Sequence, residues 1–366
     1  MDTVASSSFK PPFCPRPGCR FHLSPEGWRW VRYGFYTRQC LPRTIPRFRC
    51  RHCGSTFSSQ SFSTTYYLKR PTLLEPIFYR LLSCAGYRQI AREARCHPTT
   101  VMGQATRLGR HALLFLHEYR PRGPIREPLV IDGFESFAYS QYHPLHLNCA
   151  VGAESHFVYA LTLTELRRKG RMTAAQKRRR AFLEARHGRP DPKALELDIA
   201  ELIRLAAPGD DAITIRSDEH PAYPRALRRL RPRVIRHECT PSVEARTARN
   251  PLFPVNLLDL LLRHNSANHK RETISFSKTH QSALERGALL TIWRNFVKPF
   301  SENHGGGTPA MRIGRMDRPL TIRQILRWRL FPIRVGLPKT LASYYQRQIP
   351  TRRIPNSRRY ELKLAG

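Results

Sequence analysis

The sequence predicts a multidomain α+β protein, and three observations carry that expectation. Two close cysteine pairs bracket a strand-rich N-terminal segment, three short helical patterns follow, and then apolar strands alternate with helices, two of the strands ending in an aspartate. A chain of 366 residues has room for two or three domains and a sizeable core. Its 63 Lys+Arg against 27 Asp+Glu give a formal charge of +36, which points to a polyanionic partner. Membrane surface fits less well: the chain has no run of about 18 apolar residues, and its basic residues do not gather on one amphipathic helix. Nucleic acid is the expected partner. The N-terminus shows no basic segment leading into an apolar one, so no secretion signal is read and a reducing cytosol is expected. There, nine cysteines point to metal or free thiols before disulfides.

The first module, 1–70, carries Cys14-Pro-Arg-Pro-Gly-Cys19 and, 30 residues on, Cys50-Arg-His-Cys53. Two pairs on tight turns aim four sulfurs at one point, as tetrahedral structural zinc requires, so a zinc ribbon with Cys14, Cys19, Cys50 and Cys53 as ligands is predicted. Cys40, His22 and His52 stand by as substitutes. Strands are expected at Trp28 to Thr37 and Arg47 to Arg49. Arginines from Arg16 to Arg51 interleave with Trp28, Trp30, Tyr33, Phe35 and Tyr36, a mixture suited to phosphate contact with aromatic stacking. Chelation is expected to unfold this module alone.

Residues 71–120 read as helices broken by Gly86 and by His97-Pro98. A short turn between the last two suggests a helix-turn-helix whose third helix offers Thr99, Thr100, Gln104, Arg107 and Arg110 to the major groove; a plain helical linker is the alternative. Pro121, Gly123, Pro124 and Pro128 form the connection onward.

The third region, 129–300, opens with Leu129 to Phe137, a strand-forming run that holds Asp132 and then Gly133, whose missing side chain lets backbone or ligand approach. Strands at His143 to Val151 and His156 to Leu163 complete a meander. The basic stretch 165–192 is an insertion, suited to tracking a DNA backbone or simply solvated. A helix at Lys193 to Ala206 leads to the strand Ala212 to Glu219, which ends in Asp218; a short strand at Arg233 to Glu238 follows. Asp132 and Asp218 at matching strand positions suit a two-metal site, which needs further carboxylates nearby. The apolar helix Leu252 to His264 carries Asn256 and Asp259 on one face, and an aspartate there is costly unless paired or metal-bound. Magnesium is the expected ion for oxygen ligands beside phosphate, with manganese close behind. Residues 301–366 read as a basic C-terminal tail, either a binding arm or a solvated segment.

The cysteine pairs, Arg88-Gln89-Ile90-Ala91-Arg92, Asp132, Asp218, Leu262-Arg263 and Arg271 to Lys278 together resemble the DDE transposases of small bacterial insertion sequences, the IS-one type above all. That resemblance spans about residues 13 to 300 and implies a zinc ribbon, a helix-turn-helix and a ribonuclease-H-like mixed α/β catalytic domain. It implies a cytoplasmic, nucleoid-associated bacterial enzyme, acting as a homodimer or larger assembly on double-stranded DNA, at element ends and target. Two magnesium or manganese ions held by Asp132, Asp218 and a third acid would support strand cleavage and strand transfer. Where the family pattern has its glutamate this chain has Asn256; Asp259, one turn on, or Glu272 takes the third role. Lys270, Arg271 and Lys278 would hold phosphates, with Thr273 and Ser277 as neutral partners, while Ile274 and Phe276 are expected in the core. A DNA-binding regulator with an inert second half is the alternative from another class. An RNA-binding protein would leave both strand-end acids unexplained.

Overall fold

A computed structural model describes residues 9–352. Three antiparallel strands, β1 (Trp30–Thr37), β2 (Thr44–Cys50) and β3 (Thr56–Ser58), form the N-terminal ribbon. Its core is aromatic: Phe13, Phe21, Phe48, Phe57 and Phe62 close around Cys14, Cys19 and Cys50. Helices α1 (Leu74–Leu81), α2 (Tyr87–Glu93) and α3 (Pro98–Tyr119) follow, broken where Gly86 and His97-Pro98 interrupt the pattern. The turn before α3 is fixed at both sides. Arg70 donates to the carbonyls of Ala94 and Arg95, and the His97 ring accepts from the Thr99 amide as N-cap.

The large sheet holds β4 (Leu129–Phe137), β5 (Pro144–Gly152) and β6 (Val158–Glu165) as an antiparallel meander. Helices α4 (Ala174–His187) and α5 (Ala194–Ala206) lead to β7 (Ile213–Asp218), and α6 (Ala222–Arg228) to β8 (Ile235–Thr240). The strand order is β6-β5-β4-β7-β8, with β7 and β8 parallel to β4. A third-second-first-fourth-fifth order with only the second strand reversed is the expected ribonuclease-H-like arrangement. The opposite faces of the sheet receive different helices. On β5 the side chain of Leu147 lies against Gly287, whereas Asn148 bonds Thr162 and Thr164, and Thr162 donates to Asp198 on α5.

Past β8, α7 (Phe253–Asn265) packs on β4 and β5, and α8 (His280–Phe296) runs between the sheet and α3. Sequence reading did not find α8, for a physical reason. It is buried on nearly every side, so it has no polar stripe, and several of its long polar side chains reach backbone groups of other elements. Arg286 donates to the Leu81 carbonyl, Gln281 to that of Tyr344, and Asn295 makes a reciprocal pair with the backbone of Val158.

The C-terminal region also departs from expectation. Four short helices, α9 (Pro309–Arg312), α10 (Ile322–Leu326), α11 (Pro332–Val335) and α12 (Lys339–Tyr345), fold back over the molecule. Ile322, Ile325, Leu341 and Tyr344 join the main core, and Phe331 joins that of the ribbon. Up to residue 352 this is neither an arm nor a solvated segment; the Arg- and Pro-rich end beyond it lies outside the described residues. The basic insertion forms α4, tied down by a two-bond Arg167–Glu184 pair at 2.8 and 2.9 Å.

Candidate active site

Leu129, Val130 and Ile131 are fully buried in the sheet, and the next residue brings a carboxyl to the point where β4 loses a neighbour. On its β5 side β4 stays paired throughout, Asp132 opposite Cys149. Toward β7 the ladder holds only Leu129↔Ile215 and Val130↔Arg216. Asp132 is therefore in mid-strand rather than at the strand's end as the sequence suggested. Carried two residues past the last ladder pair, the same register sets Asp132 opposite Asp218, the final residue of β7. Chain order reverses between β4 and β7, which makes the crevice between the two acids a topological switch point, the usual ligand position in sheets of this kind.

Both carboxylates are held. Asp132 Oδ1 accepts from the Gly133 amide at 2.7 Å and from the Tyr223 hydroxyl at 3.3 Å; Asp218 Oδ1 accepts from the His220 amide at 2.9 Å. Gly133 has a definite role beside them. A Cβ there would stand 2.6 Å from Nδ1 of His146, so the missing methyl admits the imidazole.

From α7, Asp259 joins this pair. Its Oδ1 is buried with no hydrogen-bond partner, and its carboxyl is pushed up to about 8 by burial and then by the charge of Asp132, against Arg263 and Arg246. Burial and then Asp218 hold the Asp132 carboxyl above its usual range, the Gly133 amide opposing. Burial, followed by Asp132 and Asp218, drives the Tyr223 phenol well up, so it stays a donor. Burial and His220 bring His146 down to about 4, leaving a neutral ring at pH 7.

An orphaned buried carboxylate oxygen beside two more carboxylates is a donor set for a hard divalent cation, which takes oxygen ligands. The three acids therefore fit magnesium or manganese. Among the described residues, only the four cysteines form a set of three or more metal-ligating side chains with all ligand atoms within 4.8 Å; the aspartates stand wider apart.

Cys14, Cys19, Cys50 and Cys53 can hold a metal ion. The Cys14–Cys53 sulfur separation is 3.7 Å, and a tetrahedral zinc–sulfur bond of about 2.3 Å implies roughly 3.8 Å. Trp28 Nε1 donates to the Cys50 sulfur at 3.2 Å, and the His22 ring bonds the Cys14 carbonyl at 2.8 Å, a supporting position rather than a ligand's. Cys40 sits apart, against the Leu68 carbonyl.

Other expected site residues separate. Glu272, Lys270, Arg271 and Lys278 are exposed on the loop after α7, the Lys278 ammonium 3.6 Å from the centre of the Phe276 ring. Arg271 lies near enough to Arg263 for their charges to interact. Thr273 and Ser277 face their own loop, donating to Ala267 and accepting from Asn268, and Ile274 is 95% exposed rather than in the core. On α3, Thr99 is exposed and Thr100 half-buried, but Gln104 is buried, Arg107 donates to the Thr64 carbonyl, and buried Arg110 donates to that of Tyr345. A helix of 22 residues runs on into the core and takes those side chains with it. Sequence reasoning missed Tyr223, His146 and Arg246. Tyr223 carried a faint signal, at the start of the helix that follows the strand-end acid; the other two carried none, because topology alone brings them here.

No protein-family model and no curated protein matches the chain. Among solved structures it is similar to a chain of the simian T-cell lymphotropic virus intasome in complex with PP2A regulatory subunit B56 gamma, at 18% identity over 68% of this chain and 75% of that one, with a TM-score of 0.26.

Proposed function

We propose that the chain is a DDE-type transposase, which binds the ends of its mobile element and carries out metal-dependent cleavage and transfer of DNA strands. One observation carries this reading: two aspartates in one register on diverging parallel strands, joined by the orphaned carboxylate of Asp259. Asp132, Asp218 and Asp259 would hold two magnesium or manganese ions, which when bound polarise phosphate oxygens and make a water or a 3′-hydroxyl a nucleophile at neutral pH.

The protein's own groups prepare that chemistry. Tyr223 and the Gly133 amide fix one oxygen of Asp132 and so set the direction of the other. Arg246 and Arg263, whose charges already act on Asp259, draw phosphate toward the acids, with Lys270, Arg271 and Lys278 at the rim. Asp259 suits the third role better than Glu272: its carboxyl is buried and feels the charge of Asp132, whereas Glu272 is exposed on the loop. Zinc in the cysteine cluster would hold the ribbon. The ribbon, with Thr99 and Thr100 at the start of α3, would engage duplex ends, and pairing two ends calls for at least a dimer.

The test is strand cleavage and joining on supercoiled DNA carrying candidate ends, in magnesium and in manganese. Asp132→Ala and Asp259→Ala are expected to lose both products, by about a thousandfold or more, while retaining DNA binding. Glu272→Ala is expected to stay active. Loss of products in Glu272→Ala but not in Asp259→Ala would move the third role to the loop. Tight binding to ends without wild-type cleavage in either metal would leave the DNA-binding regulator standing.

A further inference from the structure

Residues 27–74 contain no aspartate or glutamate, so the positive charge of the ribbon's arginines is not offset within that span. Across this basic field lies a strip of open aromatic rings. Strand β1 is an edge strand paired only with β2, and its ladder is irregular between Arg32 and Phe35, where Gly34 takes a φ of +75°. Past it, Phe35 pairs with Pro46 and Tyr36 with Ile45, so these two side chains leave the edge strand on opposite faces, and both stay open to solvent. Tyr33 is 46% exposed, Phe35 68% and Tyr36 39%.

The strip continues onto the next turn. Arg38 donates to the Gln60 amide oxygen and Cys40 to the Leu68 carbonyl, which fastens the segment after β1 to the turn that carries Tyr66 and Tyr67. Tyr67 is 83% exposed and holds a φ of +59°, a conformation that L side chains rarely adopt. Its ring centre lies 4.2 Å from that of Tyr66. Two neighbouring rings, one of them held almost wholly in water, make a face that a flat ligand can cover.

We propose that Tyr33, Phe35, Tyr36 and Tyr67 form a stacking site for unpaired DNA bases, with the surrounding arginines on the backbone phosphates. The rings supply flat faces, which suit splayed bases and not the closed stack of a duplex. Arg47 and Arg49, over the Tyr33 ring from β2, carry the matching charge. A second copy of the chain fits poorly, because each copy would press the same cationic surface against its partner. The proposal shares with the transposase reading its partner, DNA, and the ribbon that meets it, and needs nothing of the aspartates.

The experiment compares three labelled probes by anisotropy with the full-length protein: a short single strand, its blunt duplex, and that duplex with an unpaired tail. Wild type is expected to favour the single strand and the tailed duplex. Phe35→Ala and Tyr67→Ala should weaken both by about tenfold and leave the blunt duplex unchanged. Phe35→Tyr and Tyr67→Phe keep a ring and should bind as wild type; retained metal content shows the ribbon intact. Equal weakening on all three probes, no weakening on any, tighter binding of an RNA strand of the same sequence, or a dimer-to-monomer shift with DNA binding unchanged would each overturn the proposal. Asp132→Ala separates the two readings. If it abolishes cleavage while wild type has no single-strand preference, stacking falls and strand transfer stands; a preference without any wild-type cleavage keeps stacking and removes strand transfer.

Discussion

Glycine 133 has one hydrogen where any other residue would have a carbon, and the candidate site depends on the difference. Gly133→Ala would drive a methyl into the His146 ring, at 2.6 Å from Nδ1. Relief requires moving the imidazole or β4, so a stability loss of about 1–3 kcal/mol is expected. Cleavage should fall at least about tenfold through a displaced Asp132, with duplex binding unchanged. Urea unfolding and single-turnover cleavage check the two parts separately. Gly109 sets the same kind of limit between α3 and α8, where a Cβ would meet the Glu285 Cβ at 2.5 Å. At this scale the sequence was readable where a residue advertises itself. Asp132 and Asp218 interrupt apolar runs, and the cysteines come in pairs. Gln104 and Arg110 deceived, because a polar residue on a helix says nothing of which neighbour will accept it.

Elements behave in a similar way. Strands β4 to β8 and helices α1 to α3, α5 and α7 were legible because each keeps one polar face, or an apolar run bounded by Gly and Pro. Helix α8 keeps neither; a short helical pattern at Leu320 to Leu330 marks α10, while α9 and α11 are too short for any periodicity to show and α12 went unread. The ribbon's dependence on other elements was hidden too. Phe331 packs edge-on to Phe13, and Arg334 stands over Phe13 and donates to the His22 carbonyl. Aromatic pairs of this kind contribute about 0.5–1.5 kcal/mol each, against roughly 10–16 kcal/mol for structural zinc in small modules, so the rings alone will not keep the ribbon folded. Removing the metal with a chelator should therefore expose the segment around Phe331 as well as residues 13–62. Limited proteolysis is expected to cut both, while fragments spanning β4 to β8 persist. Cuts in the ribbon alone would mean that Phe331 is held by something else.

Across the whole molecule, buried titratable groups set the response to pH. Burial holds His111, His117, His156 and His280 down to about 4, and His269 to about 3. Unfolded, these rings take protons near pH 6.5, so stability is lost as pH falls from there toward about 4. Asp198, raised by burial to about 6, and Glu285, raised by burial to about 7, act in the opposite sense. These carboxyls keep protons in the fold that the unfolded chain gives up near 4, so they weaken the fold as pH rises through that window. The histidines prevail, and unfolding at pH 5.5 should take up roughly three protons, each worth about 1.4 kcal/mol per pH unit. Calorimetry in buffers of different ionisation enthalpy measures that uptake; net release would contradict it. The C-terminal helices bear on the molecule's making as well as its stability. During synthesis the ribbon emerges well before Phe331, on which its core waits, and Tyr344 closes the other core later still. A chain that stopped before Phe331 would thus be no slightly shorter version of this protein, but one with two open interiors, fit for the cell's proteases.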